Sequence, residues 1–505
     1  MIEYPSHARA RDAAPLRAVL SPGAVLIGAV LIASLALFVR PVTDTDFWLH
    51  VRVGQWIVDH GRLPAHDLFT YTVPDHRWVD HEYLSEVLLW LLQAGFGLAG
   101  ASIGFGVLTW LGLVLVLAAC RPRGQPHVVV ALAVALGAAA GAPIWGARPQ
   151  MTTFVLASLE LLWLRRALDD QESRSILWLP AVMVLWSNLH GGWPIAFALL
   201  GIALAVAVGR WLQDRPDAGR LARVRRLAIA GILSIPAVGL NPNGPAIYAY
   251  PFQTLTSAAQ QGLILEWASP DFHLASLRAF ELMVLLLVAG LALGRGPSAF
   301  DLLVALAGLA LALESVRNVP LFVAAATPAL VAAWSDAWRR IAPEALARRL
   351  PAGPARWAPA AGAAILAATA AAIGPGIAGQ LAAQPGLTRQ VVPVGAADWL
   401  SAHPDVGTRM FNQYAWGGYL AGRFYPDPNR RLFIVSEGVL MGDAEILRYR
   451  DVADLDPDWR SLLDQAGVDY VVFNRGSALA GALGADPGWR LVYQDSTAVI
   501  YVRAG

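Results

Sequence analysis

No lysine occurs in the 505 residues; all 38 basic side chains are arginine. A lysine Schiff base and a lysine-based phosphate loop are therefore excluded. The single cysteine, Cys120, rules out an intrachain disulfide, a CxxC redox pair and a cysteine-rich zinc site. Charge is scarce as well: Asp, Glu, Lys and Arg make up 15% of the chain, against about 25% in ordinary soluble domains. A net charge of +1 offers no basic face to nucleic acid. What abounds is apolar: 56% of residues are hydrophobic, and mean hydropathy is +0.49. Such a composition belongs to a multi-pass membrane protein rather than to a soluble enzyme or a disordered chain.

A helix needs about 20 apolar residues to cross a hydrocarbon core of about 30 Å. About eleven segments meet or approach that length: 18–39, 98–119, 127–145, 150–164, 177–192, 193–209, 227–240, 279–294, 299–314, 319–334 and 357–377. The first follows Arg9, Arg11 and Arg17 and is too long for a cleavable signal core, so it is read as an anchor. With the spans threaded in order, loops on the N-terminal side carry about 20 arginines in about 80 residues, and the opposite loops about 7 in about 90. The first set includes the cluster Arg210 to Arg226 and Arg339, Arg340, Arg348 and Arg349. The positive-inside rule then puts the N-terminus in the cytoplasm and, for an odd number of spans, the C-terminal region outside. Residues 385–505 have ordinary charge density and β-like runs at 431–435, 469–473 and 498–502. The expected architecture is an α-helical multi-pass membrane protein: a cytoplasmic tail at 1–17, about 11 transmembrane helices within 18–380, a first outer loop at 40–97, and an extracytoplasmic α/β domain at 385–505.

The inner loops hold little but arginine, whereas the outer ends collect mixed polar residues. The loop after the first span carries Asp44, Asp46, Asp59, Asp67, Asp75, Asp80 and Glu82, and five of the ten histidines, His50, His60, His66, His76 and His81. Residues 47–59 and 81–94 have the pattern of amphipathic helices on the membrane surface. Trp48, Trp56 and Trp78 there suit the membrane–water interface. Polar clusters recur at 146–151 (GARPQM), 187–194 (SNLHGGWP), 241–245 (NPNGP), 266–273 (EWASPDFH) and 314–320 (ESVRNVP). Ionisable residues at span ends are costly to bury and mark function, so the clusters predict a cavity open to the outer side.

Asp44 and Asp46 have two readings. They can hold a divalent cation (Mg or Mn) or supply a base toward an acceptor hydroxyl; alternatively, Thr43-x-x-Asp46 is a capping box. The loop histidines, spaced by 10, 6, 10 and 5 residues, match no metal-ligand pattern, and His81 and Glu82 read as part of a polar site. Arg148 and Arg317 offer planar forks suited to a phosphate, set against snorkelling to the interface. Glu266 and Asp271, on either side of Trp267, either serve a sugar ring or face water. GFGLAG at 95–100 matches G-x-G-x-x-G without a preceding strand, so it is no dinucleotide site; Gly100/Gly104 and Gly137/Gly141 are pairs for close helix packing.

The loop TDTDFWLHVRVGQWIVDHGRLPAHDLFTYT…WVDHEYLSE resembles the first external loop of the GT-C class of integral membrane glycosyltransferases, and in particular bacterial relatives of protein mannosyltransferases. RPQ, NLHGG, EWASP and RNVPLF are similar to the same group. In the tail, NQYAWGGYL (412–420) resembles the region of oligosaccharyltransferase catalytic subunits that carries W-W-D-Y-G, with glycine (Gly417 or Gly418) in place of the aspartate. The resemblance implies a GT-C fold in a bacterial cytoplasmic membrane, a polyprenyl-phosphate sugar donor and a catalytic acid in the first loop.

The resulting expectation is an inverting sugar transfer from a polyprenyl-phosphate donor to a glycan, lipid or protein acceptor outside the membrane. Asp44 is expected as base and Asp46 as its partner or a metal ligand, with His81 and Glu82 beside the acceptor. His50, Arg148, His190, Glu266, Arg317 and Asn318 are expected around the donor phosphate and substrate; the tail, with Tyr414, Trp416 and Tyr419, is expected to cover the site or bind the acceptor, the alternative being a purely structural role. Transfer of a whole oligosaccharide, a flippase without chemistry and a non-catalytic scaffold stand as alternatives. A transporter calls for inverted repeats or mid-membrane polar sites, neither of which is visible in the sequence.

Overall fold

A backbone in hydrocarbon must satisfy its own hydrogen bonds, so long apolar runs become helices. The computed structural model describes residues 21–120, 124–213, 218–294, 296–341 and 358–504. The expected tail at 1–17, and Arg348 and Arg349, lie outside the described residues. Among those described, five helices are long and apolar enough to cross a membrane: Tyr83–Ala119, Pro194–Gln213, Ala275–Leu293, Val316–Arg340 and Pro359–Ala382. Pro22–Phe38, His127–Ala140 and Ser175–Leu189 are apolar but shorter. Helices Gln150–Asp169, Ala218–Val238 and Ala299–Glu314 occupy the remaining expected segments. This is the helix content of a multi-pass membrane protein. Helix Val319–Ile341 packs against Ala299–Glu314, Arg278–Leu293, His127–Ala140 and Gln150–Asp169, and its apolar stretch is the most buried of the five.

Two helices lie between Pro22–Phe38 and the first long span. Phe47–His60 ends at Gly61, whose left-handed backbone (φ 66°) closes the helix. Its neighbour runs from Tyr83 to a break at Gly97 (φ 66°, ψ −169°), where the chain turns into the span. The amphipathic helices expected at 47–59 and 81–94 are therefore present. They touch backbone to backbone: a Cβ on Gly54 would stand 2.1 Å from the Glu86 carbonyl oxygen.

The tail contains a five-stranded sheet in the order β2-β1-β3-β5-β4, with β1 Arg409–Asn412, β2 Arg431–Leu432, β3 Tyr470–Asn474, β4 Trp489–Gln494 and β5 Ala498–Arg503. β1 lies parallel to β2 and β3, while β5 runs antiparallel to β3 and β4. The expected runs at 469–473 and 498–502 are β3 and β5. The run at 431–435 pairs only at Arg431 and Leu432, because the Asn412 side-chain oxygen takes the next two amides, Phe433 N (3.0 Å) and Ile434 N (3.3 Å).

The first loop joins this sheet. Leu432 N donates to Phe69 O and Tyr71 N donates to Leu432 O, each at 3.1 Å, so residues near Thr70 extend the β2 edge. Leu49, Val53, Trp56, Ile57 and Trp78 are buried in the tail's hydrophobic cluster. Trp56 and Trp78 are thus corrected from membrane-surface anchors to core residues of the tail, because the tail covers the face the sequence assigns to lipid.

Gly54→Ala is expected to lower the thermal midpoint in detergent, since neither backbone can give way; overpacking of this kind costs about 1–3 kcal/mol. Gly374→Ala, with nothing within 4 Å of its Cβ position, is expected to leave the melt unchanged.

Candidate functional site

Between the helical body and the tail lies a cavity of about 510 Å³. Its walls come from the first loop, from the expected outer clusters near 148, 190, 266 and 317, and from the tail at Tyr414, Ser436 and Glu437. Residues from Asp44 to Gly438 therefore share one site.

Arg148 organises one wall. Its Nε lies 2.5 Å from Asp44 Oδ2, and its two terminal nitrogens bond both Glu266 oxygens at 2.5 and 2.8 Å. Burial opposes the Arg148 charge, but Asp44 and Glu266 more than offset it and hold the guanidinium well above its ordinary pKa. Ser315 Oγ donates to Glu266 O (2.8 Å), which brings the 314–320 segment alongside. There the Arg317 guanidinium stands over the Trp267 ring, 5.6 Å from its centroid, and makes no ion pair among the described residues. Asn318 Nδ2 donates to Leu311 O (3.2 Å). Asp271, beside the same turn, instead pairs with exposed His273.

Thr43 and Asp46 do not form the capping box. Helix Phe47–His60 starts without a side-chain cap; Asp44 Oδ1 accepts from Asp46 N (3.1 Å), which leaves the Asp46 carboxyl in the cavity wall. Burial, then the nearby Asp44 charge, push that carboxyl up to about 7.

A second wall is rich in carboxyl and imidazole groups. His50 Nδ1 lies 3.1 Å from Glu86 and 3.6 Å from Glu82, and burial depresses His50 to about 4. His81 Nε2 is 3.5 Å from Glu82, and its ring stacks on Tyr250 with centroids 3.9 Å apart. His190 Nε2 reaches Glu82 at 4.0 Å. Trp186 Nε1 donates to Thr153 Oγ1 (2.8 Å), whose hydroxyl then donates to His190 Nδ1 (2.9 Å). Gly192 N also donates to Nδ1 (3.0 Å), so the His190 proton sits on Nε2, facing Glu82. Burial, followed by Glu437 and Asp80, pushes Glu82 well above the carboxylate range. Asn243 Nδ2 donates to Asp80 O (2.6 Å), which is how the NPNGP cluster supports this wall.

Of the three tail aromatics, only Tyr414 lines the cavity. Trp416 Nε1 donates to Val391 O (3.0 Å), and Tyr419 packs edge-on against Trp48 (5.4 Å); both are buried packing residues. Glycine at 417 is required here, because a Cβ would stand 2.6 Å from Ile434 O; no aspartate fits.

Among the described residues two groups of ligand atoms lie mutually within 4.8 Å: His50, Glu82 and Glu86, and His81, Glu82 and Glu437. Asp44 and Asp46 belong to neither, and Asp44 is committed to Arg148.

No family model matches the sequence, and no curated protein matches it. Solved structures do. The Archaeoglobus fulgidus oligosaccharyltransferase AglB, in complex with an inhibitory peptide and a dolichol-phosphate, superposes with a TM-score of 0.54 at 13% identity, over 95% of this chain and 74% of that one. Its apo form gives 0.52 at 12% identity over the same shares. The chain has a GT-C-like fold. Cupriavidus metallidurans ArnT bound to undecaprenyl phosphate aligns over 94% of this chain and 96% of its own, at 15% identity and a TM-score of 0.48.

Within this GT-C-like fold the cavity also contains residues that the sequence did not single out: Gln150, Thr153, Tyr250, Ser436 and Glu437. Tyr250 OH donates to Glu437 Oε1 (3.2 Å), and burial, then Asp80, raise Glu437 to about 8. Gln150 had a signal, adjacency to Arg148 in RPQ. Ser436 and Glu437 had none, since they follow a strand in a domain of ordinary composition.

Arg148→Ala leaves Asp44 and Glu266 without their shared cation, and loss of such charged hydrogen bonds is expected to cost about 1.5–3 kcal/mol of stability, read as a lower melting midpoint. Arg148→Lys, with one point charge for two partners, is expected to fall between. A carboxyl raised from its ordinary value contributes stability below that value and loses it as pH rises through about 7. The fall in midpoint between pH 5 and pH 8 is therefore expected to be shallower in Asp46→Asn than in the native chain.

Proposed function

We propose that the chain transfers a sugar from a polyprenyl-phosphate-linked donor to an acceptor on the outer side of a bacterial cytoplasmic membrane. The observation that carries this reading is the pairing of a free cation, Arg317, with an enclosed carboxyl near neutrality, Asp46, in one cavity of a GT-C-like fold. Arg317 meets the donor phosphate and stabilises it as it departs, the step at which charge accumulates on the leaving group. Asp46 removes the acceptor proton, since a base works best with a pKa near the operating pH. That role passes to Asp46 from Asp44, whose carboxylate is held by Arg148. Attack from the side opposite the phosphate gives inversion. The oligosaccharyltransferase AglB was solved with a dolichol-phosphate, a carrier of the class proposed here. The arginine distribution supports eleven crossings with an inner N-terminus and an outer tail.

A divalent cation fits the His50, Glu82 and Glu86 group better than the Asp44–Asp46 pair, and its nitrogen and oxygen donors suit manganese better than magnesium.

Reconstitution into liposomes with a panel of polyprenyl-phosphate hexoses and glycan acceptors tests the reading. Asp46→Asn is expected to lower kcat by about 100-fold or more and to abolish the limb of the rate profile near pH 7. Asp44→Asn is expected to act mainly by loosening Arg148, with a smaller loss. Unchanged turnover in Asp46→Asn removes the proposed base. Absence of turnover with every donor, with or without added manganese, removes the transferase reading.

A further inference from the structure

The cavity wall contains polar groups that no described residue satisfies. Both amide atoms of Gln150 and the Trp267 indole N–H have no hydrogen-bond partner among the described residues, although Gln150 is only 9% exposed, and the Ser436 hydroxyl has only the Asp46 carboxyl beside it. Buried polar atoms are ordinarily paired, and each orphan calls for an explanation. These three side chains all line the cavity, and all are uncharged. The tail adds Glu437, whose Oε1 accepts from Tyr250, leaving Oε2 for a ligand.

We propose that Gln150, Ser436 and Glu437 bind the hydroxyls of an uncharged sugar ring, which makes the tail domain part of the substrate site. The inference rests on the glycosyl-transfer reading and names a ligand class for its cavity. An amide offers a donor and an acceptor, and a hydroxyl offers both. A sugar hydroxyl, itself donor and acceptor, matches all three residues. A charged ring needs a free counter-charge, and the cavity has little to give: Arg148 is bound by two carboxylates, and Arg317 is committed to phosphate. The stacked His81 and Tyr250 rings supply a flat apolar surface of the kind found in small-molecule sites.

Glu437 is held firmly enough to discriminate. Its carbonyl accepts from Met441 N (3.0 Å). The helix it leads into is pinned to the membrane body by Ser257 Oγ on Asp443 (2.6 Å) and to the first loop by His76 on Leu440 O (2.9 Å). The sugar ring can belong to the lipid-linked donor or to the acceptor glycan, and the chemistry at Glu437 is the same for both.

The test is ligand binding to the full chain in nanodiscs, followed by tryptophan fluorescence, since Trp267 lies in the wall. The probes are undecaprenyl phosphate, undecaprenyl-phosphate-linked glucose and mannose, and the free methyl glycosides of both sugars. Glu437→Ala is expected to weaken sugar-bearing probes by about tenfold or more, while Glu437→Gln, which keeps hydrogen-bonding capacity, stays within about threefold. Undecaprenyl phosphate is expected to change by less than about twofold in either variant. Glu445→Ala, at a residue outside the cavity paired with Arg448, serves as the control and is expected to bind like the native chain. An effect confined to the lipid-linked sugars assigns the subsite to the donor; an effect on the free glycosides assigns it to the acceptor. Equal loss for undecaprenyl phosphate and sugars, no loss in Glu437→Ala, or no sugar binding by the native chain overturns the proposal. Failure of undecaprenyl phosphate to bind, with sugar binding still sensitive to Glu437, instead overturns the polyprenyl-phosphate reading and leaves this one standing.

Discussion

One arginine between two carboxylates holds the site together. Arg148 is largely removed from solvent, and an unpaired guanidinium there is prohibitively costly. Its partners, Asp44 and Glu266, come from the first loop and from a turn more than a hundred residues downstream. Satisfying a single charge therefore draws three distant segments to one point. Through Ser315 on Glu266 O and Val316 N on Ala268 O (3.0 Å), the same point fixes the backbone that carries Arg317. The two arginines therefore differ: Arg148 is held by two carboxylates in the wall, whereas Arg317 stands over the Trp267 ring with no ion pair among the described residues.

The first loop is the second constraint, since it serves two hydrophobic clusters at once. Phe47 packs into the membrane body, while Leu49 and Val53, on the same helix, pack into the tail. Gln384 closes the arrangement with a two-way amide clamp, accepting from Val42 N (2.7 Å) and donating to Val42 O (2.9 Å), two residues before Asp44. Arg52 adds a bond to Tyr425 O (2.6 Å). Membrane body, loop and tail are thereby packed around one cavity, and the carboxylates of the loop take their positions from the tail as much as from the membrane.

Much of this was legible beforehand, for identifiable reasons. Helices occupy the expected apolar segments because periodicity is irrelevant to a run buried in hydrocarbon; length and composition suffice. Asp46, Arg148, His190, Glu266 and Arg317 were found as polar exceptions at the ends of those runs, where their cost makes them conspicuous. The same logic failed in the tail. Against ordinary charge density, Glu437 and Ser436 looked like any surface residues, and Trp416 and Tyr419 drew notice through a motif of whose aromatics Tyr414 alone reaches the cavity. β1 and β4 passed unnoticed for other reasons: β1 has only four residues and depends on pairing on both sides, and β4 is a largely exposed strand at the sheet edge.

Composition and order by themselves determined the solvent, the helical body, the separate character of the tail and the side on which polar groups collect. These follow from transfer free energies, which each residue carries with it. Which carboxylate is paired and which is left to titrate was decided only in three dimensions. Asp44 and Asp46 are two residues apart and chemically identical; the reach of Arg148 engages one and leaves the other enclosed with a raised pKa. Charge pairing and desolvation depend on distance and burial, and neither is a property of a residue until the chain has folded around it.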